Sequence, residues 1–284
     1  MIKKIVCLFS IILISVRLFC GDFYDTAVKT QLVRDLKTGC TPVKEAYPYG
    51  IIYLNHANDP YVLYKLLQIC VDENLFNKSE KAQELISLYK QLNEIKDIFS
   101  LYKKINIKAP GFYVQNGYAY SETNFLSFHK LLQKMSLHEM DVFYDIGSGI
   151  GKLVLHAYLK SKARKCIGIE KVYAKHVIAR KILDEASKKF NFSSNRIIDY
   201  VYGNLHYKDI NDATVVYIGP NNFTQKSINE ITQVLAKCKN LNKVYTLFEL
   251  PEIYTLNLQK NMQASLKVET THEGEKEVFC YVKK

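Results

Sequence analysis

The chain has 284 residues, 48% hydrophobic and 24% charged, with 12 glycines and 6 prolines, which excludes disorder, collagen and coiled coil as descriptions of the whole. That length suits one enzyme-sized domain with a smaller extension better than two equal large domains. Lys and Arg number 39 against 28 for Asp and Glu, and the formal charge of +11 favours acidic partners: nucleic acid, an anionic membrane or an acidic protein. No dense basic run or Arg-rich tail chooses among them, so direct nucleic-acid binding stays open.

Lys3 and Lys4 precede an apolar run from Ile5 to Val16, so residues 1–20 have the pattern of a secretory signal or hydrophobic leader. The run falls short of the ~20 residues of a membrane span. A real leader makes the protein secreted or membrane-associated, with membrane contact through residues 1–20; a misread start makes it intracellular. The 7 cysteines form no CxxC pair and the histidines do not join them at ligand spacing, so free buried thiols are expected, with no disulfide framework and no metal site.

Residues 21–108 read as a helical region. Its clearest stretch is Glu84 to Phe99, where Leu85, Leu88, Leu92, Ile95 and Ile98 recur every three or four residues. Thr41 to Pro60 reads as ordered loop, and Pro60 opens a helix carrying Tyr61, Leu63, Leu66 and Leu67. Pro110, Gly111 and Gly117 mark a connecting loop.

Residues 109–284 form a second region with a different rhythm. Asn124 to Lys134 fits a helix. Then strand-like and helical runs alternate: Val142–Ile146, Leu153–Leu159, Cys166–Ile169, Ala174–Phe190, Arg196–Tyr202, Thr214–Ile218, Ser227–Lys237 and Val244–Leu250. Parallel strands need helical crossovers, so this series predicts a doubly wound α/β sheet. Leu266–Thr270 and Val278–Val282 close it as an antiparallel hairpin, for seven strands in all.

The strand Val142–Ile146 runs directly into Gly147, Gly149 and Gly151, ahead of a helix starting near Lys152. Such glycines let the backbone approach a ligand, and the helix start offers free N–H groups. Glu170 lies 19 residues beyond Gly151 at the end of the second strand, where its carboxylate can accept both hydroxyls of a ribose. A nicotinamide dinucleotide and S-adenosylmethionine both present such a ribose. Asp145 separates them, because an acid in the first strand is awkward beside a pyrophosphate and suits the cationic methionine portion of a sulfonium.

Asp145 to Gly151 followed by Gly168, Ile169, Glu170 and Lys171 resembles the non-SET histone-lysine methyltransferases named for disruption of telomeric silencing. Tyr120, Ser121, Glu122 and Thr123 resemble that family's Tyr-Gly-Glu-Thr loop, with Ser121 in place of glycine. Asn221, Asn222 and Phe223 resemble its Asn-Asn-Phe segment. The resemblance spans roughly residues 109–284 and implies a Rossmann-like class I methyltransferase with a mostly parallel seven-stranded sheet, using S-adenosyl-L-methionine. It implies cofactor binding by Tyr120, Glu122, Thr123, Asp145, Gly147, Gly149, Gly151, Glu170 and Asn204, with Glu122 on the cofactor's amino group and the Asn204 amide on the adenine edge. Asn221 or Asn222 would orient the incoming amine, and Phe223 would wall off water.

The expected reaction is in-line attack of a neutral protein lysine amine on the methyl group, with orientation and a desolvated channel supplied by the protein. The substrate would be a histone or another acidic or nucleic-acid-containing assembly. His129, His138 and His156 lack the acidic partners of a general base. Methylation of RNA, DNA or a small molecule, and a degenerate cofactor-binding domain, are the alternatives.

Overall fold

The computed structural model describes residues 64, 68, 71, 80–104, 122–205, 208–219, 223–251, 257–261, 266–270 and 274–284. The expectations for residues 1–20, for the loop 41–60, for the helix opened by Pro60 and for the loop 109–120 lie outside these, apart from the helical Tyr64. The chain divides into two compact units, Met1–Ser100 and Leu101–Lys284.

In the first unit, helix α1 (Glu80–Lys104, whose last turn belongs to the second unit) buries Leu92, Ile95 and Ile98, the stripe expected from the 3.6-residue period. Tyr64 stacks on Tyr89 with ring centroids 5.6 Å apart and donates to Asn93 Oδ1 at 3.3 Å.

The second unit is built on α2 (Phe125–Met135), β1 (Val142–Ile146), α3 (Lys152–Lys160), β2 (Lys165–Glu170), α4 (Tyr173–Lys189), β3 (Ile197–Tyr202), β4 (Val215–Ile218), α5 (Gln225–Lys237), β5 (Lys243–Thr246), β6 (Leu258–Lys260), β7 (Leu266–Thr270) and β8 (Gly274–Lys283). The eight-stranded sheet runs β3-β2-β1-β4-β5-β8-β6, and β7 pairs with β8 off that path. Strands β1 to β5 are parallel; β8 is antiparallel to β5, β6 and β7. The doubly wound reading and the closing hairpin therefore hold. The strand beyond the expected seven is β6, three residues long and too short to leave an alternating pattern.

β1 is buried throughout, and its side chains divide by the two-residue period of a strand. Val142, Tyr144 and Ile146 pack into a core with Ile231 and Leu235 of α5. Phe143 packs into the opposite core with Phe128 of α2, Val154 of α3 and Leu183 of α4. The sheet is thus covered on both faces, as a largely parallel sheet requires. The same alternation sends Asp145 to the α2–α3 face.

Local chemistry sets the ends of the elements. Asn124 Oδ1 accepts from Ser127 N at 2.7 Å and opens α2; Ser136, at φ 52°, closes it. β5 stops at Thr246, short of the expected Leu250, because Thr246 Oγ1 accepts the Phe248 N–H at 3.3 Å and turns the chain out of the ladder.

Candidate active site

Between β1 and β4 the strand order reverses, and the carboxyl ends of the strands flanking that reversal form the crevice where doubly wound folds bind ligands. The turn after β1 is pinned to β2: Gly147 N and Ser148 N both donate to Ile169 O, at 2.8 and 3.1 Å. Gly151 N donates to Ser148 O at 2.9 Å, and α3 begins at the next residue.

Two glycines are fixed by close approach. Gly151 has φ +81°, and a Cβ there would lie 2.5 Å from the ring of Tyr200, whose hydroxyl donates to Gly151 O at 2.8 Å. At Gly168, in the middle of β2, a Cβ would meet Ser148 Oγ at 2.6 Å and the Tyr200 ring at 2.8 Å. Tyr200 is therefore the floor on which the glycine-rich turn lies. Sequence reasoning did not single it out, for nothing marks it among 21 tyrosines.

Glu170 ends β2 with both carboxylate oxygens engaged: Oε2 accepts from Gly149 N at 2.8 Å and Oε1 from Val172 N at 2.7 Å. Each oxygen keeps a further lone pair, so a correctly aimed carboxylate can still accept two hydroxyls. Asp145 is buried, and its carboxyl is pushed up to about 8, first by burial and then by the charges of Glu170 and Glu122. Three acids thus converge on one turn of backbone. Such a cluster favours a cation.

Glu122 is no freely solvated acid. It accepts a hydrogen bond and ion pair from Lys152, the first residue of α3, whose Nζ lies 5.4 Å from the Phe125 ring centroid. Thr123 bridges to Thr270 of β7, and its buried hydroxyl shares a 2.7 Å hydrogen bond with Tyr217 OH. Tyr217 is fully buried and anchors the Glu122–Thr123 segment from below. Lys152 was placed by the sequence at the helix start, but no spacing rule could pair it with an acid 30 residues earlier.

Phe223 stands over the turn. Its Cζ would lie 3.5 Å from a Cβ at Gly147, and its ring is 5.7 Å from that of Phe248. Asn204 is exposed just beyond β3, after Gly203. Tyr120, Asn221 and Asn222 lie outside the described residues. The structure therefore gathers Glu122, Asp145, Gly147, Gly149, Gly151 and Glu170 around one turn, with Thr123 beneath and Phe223 above it.

The family model described as "Histone methylation protein DOT1" matches residues 111–279. The chain belongs to the DOT1 family. A curated relative, the "Histone-lysine N-methyltransferase, H3 lysine-79 specific" of Drosophila melanogaster, is 31% identical over 113 residues, 37% of this chain and 6% of the relative. The chain thus corresponds to a small part of that protein. Similar solved structures include an RNA methyltransferase from Salinibacter ruber in complex with S-adenosyl-L-homocysteine (22% identity, 55% of this chain, 90% of that one, TM-score 0.40). A putative RNA methyltransferase from Pyrococcus horikoshii is another (16% identity, 67% and 98%, TM-score 0.48).

For a DOT1 family member the cofactor is S-adenosylmethionine, and the residues present fit it. An acid cluster holding Asp145 partly protonated in the free protein is matched by a ligand with an ammonium and a sulfonium. A carboxylate aligned by two backbone N–H groups is matched by a ribose. Among the described cysteines, Cys166, Cys238 and Cys280 are free and buried.

Proposed function

We propose that this chain is an S-adenosylmethionine-dependent methyltransferase that modifies a lysine amine of a histone. The observation that carries the reading is the convergence of Glu122, Asp145 and Glu170 on the glycine turn, within a DOT1 family domain. The Drosophila relative, named for histone H3, supports the protein substrate. Residues 109–284 would be the catalytic domain, and 21–108 a separate helical region.

When bound, the cofactor supplies an electrophilic methyl group. The protein's part is orientation and electrostatics. Glu170 holds the ribose while Gly149 N and Val172 N hold Glu170. Asp145 and Glu122 set the cationic end, and Phe223 with Phe248 forms an apolar wall that excludes water from the approach. Burial pushes the Tyr200 and Tyr217 hydroxyls up, so both stay protonated, as donors and not bases. His129 of α2 and His156 of α3 are buried against each other, Nδ1 to Nε2 at 3.1 Å, and Gln133 engages the other ring nitrogen of His129 at 3.3 Å. A lysine substrate would lose its proton to solvent or to a nearby group before attack, with Asn221 or Asn222 orienting the amine.

The charge of +11 supports a nucleic-acid-containing assembly such as a nucleosome as the context of the substrate. Lys3, Lys4 and the run Ile5–Val16 support a leader that directs export or membrane contact, which fractionation of cells making the chain with and without residues 1–20 would test.

The deciding experiment offers the full chain a labelled methyl donor with nucleosomes, free histones, RNA and DNA. Label in a histone, located by mass spectrometry on a lysine, is the expected outcome. Label in nucleic acid alone would replace this reading with the nucleic-acid methyltransferase one.

A further inference from the structure

Of the exposed large apolar side chains among the described residues, two are aromatic, and they touch. Tyr173 opens α4 with 63% of its surface exposed, and Tyr202 ends β3 with 47% exposed. Their rings meet edge to face, with centroids 5.3 Å apart and planes at 77°. His176, one helical turn beyond Tyr173, supports the Tyr202 ring at 5.8 Å. Single exposed apolar side chains are ordinary; two rings held together at a helix start and a strand end make a ledge with an open π face.

The surroundings of the ledge are cationic. Residues 171–183 and 200–208, which carry the two tyrosines, contain Lys171, Lys175, Arg180, Lys181 and Lys208 and no acid. Lys208 lies across Gly203, the residue after Tyr202, with its Nζ 3.2 Å from where a Cβ on that glycine would be. The acids that border the ledge are engaged. Asp199 of β3 pairs with Arg180, and Glu170, the register partner of Tyr202, accepts from Gly149 N and Val172 N. Such a field repels a cationic ligand, a histone tail or a methylated lysine included, from rings that could otherwise receive it. It attracts a ligand that carries both aromatic faces and phosphates.

We propose that Tyr173 and Tyr202 form a docking ledge for single-stranded nucleic acid, on which unpaired bases stack while Lys171 and Lys208 hold the phosphates. Every base has a π face, so the contact tolerates sequence. A duplex keeps its bases stacked on one another and offers the ledge phosphates alone. The ledge lies at the β2–β3 side of the carboxyl edge, whereas Phe223 follows β4, and β2 and β1 lie between β3 and β4. Three strand spacings, roughly 14 Å, separate a strand bound there from the apolar wall of the methyl approach. The nucleic acid is thus a tether and not the methyl acceptor, and the contact holds whichever amine receives the methyl group.

The test is fluorescence anisotropy of the full chain with a short labelled oligouridylate, with a DNA duplex of equal length, and with vesicles of phosphatidylserine and phosphatidylcholine. The single strand should bind more tightly than the duplex. Tyr173→Ala with Tyr202→Ala should weaken single-strand binding by about ten- to a hundredfold, the worth of the lost stacking, and leave duplex binding within about twofold. Tyr173→Phe with Tyr202→Phe keeps both rings and should hold single-strand affinity within about threefold of wild type. Lys171→Gln with Lys208→Gln should reduce the salt dependence of binding, which the alanine variant keeps. Thermal melts separate lost binding from lost folding, and the phenylalanine variant reports on the rings by itself. Single-strand binding that is unchanged in the alanine variant, no tighter than the duplex, or missing from the folded wild-type chain would overturn the ledge. Tyrosine-dependent binding of the vesicles alone would also overturn it, and would make the two rings a membrane contact.

Discussion

The hydroxyl of Tyr200 donates to the carbonyl oxygen of Gly151 at 2.8 Å, and the same ring leaves no room for a side chain on that glycine. One contact thus fixes both the height of the glycine turn above the sheet and the identity of its last residue. Gly151→Ala should destabilise the protein by about 2–4 kcal/mol, the sum of a left-handed backbone cost and overpacking, read as a lower denaturant midpoint. Tyr200→Phe should cost only about 1 kcal/mol, since the ring stays and one hydrogen bond goes.

Asp145 links cofactor binding to protons. Its folded value of about 8 means that the free protein carries a proton there through the neutral range, and a bound cation favours the ionised form. Binding should therefore release a proton below pH 8, and affinity should rise with pH, by up to about tenfold per unit, before levelling off. Calorimetry in buffers of different ionisation enthalpy measures that proton directly. Asp145→Asn should lower the affinity and abolish its pH dependence.

Stability should respond to pH with two opposed slopes. The raised value of Asp145 contributes stability that is present below its ordinary 3.8 and lost as pH rises toward 8. His156 runs the other way. Burial first, then His129 and Lys160, hold it well below the usual 6.5, so its contribution is present above 6.5 and lost as pH falls. Between pH 5 and 6.5 the two slopes offset one another, so urea midpoints should be nearly flat there, and His156→Gln, which removes a slope of at most about 1.4 kcal/mol per unit, should leave midpoints that fall steadily from pH 5 to 8. The alkaline loss should be flattened in Asp145→Asn.

The sequence made the sheet legible because parallel strands buried on both faces leave unbroken apolar runs, as Val142–Ile146 does, and because helices of 9 to 17 residues separate them. Gly147, Gly149, Gly151 and Glu170 were legible for a related reason: their roles depend on backbone conformation and on position at a strand end. Tyr200, Tyr217 and Lys152 were not. Each acts through a contact that spans 30 to 94 residues of chain, and no local pattern records which tyrosine lies under a turn or which acid a lysine reaches. Strand β6 escaped for want of length.

The buried pair Thr123 Oγ1 and Tyr217 OH allows the anchoring of the Glu122 segment to be measured by itself. Thr123→Val leaves the Tyr217 hydroxyl buried without its partner, and should cost about 1–3 kcal/mol. Tyr217→Phe leaves the threonine hydroxyl in the same position. With both replaced, no polar group is stranded, so the double variant should be more stable than the sum of the single losses predicts, by roughly 1 kcal/mol or more. Binding should behave differently. The double variant lacks the bond that holds Glu122 over the turn, so its affinity for S-adenosylmethionine should stay below wild type even where its denaturant midpoint recovers. Recovery of both together would mean that the Thr270 bridge alone positions Glu122.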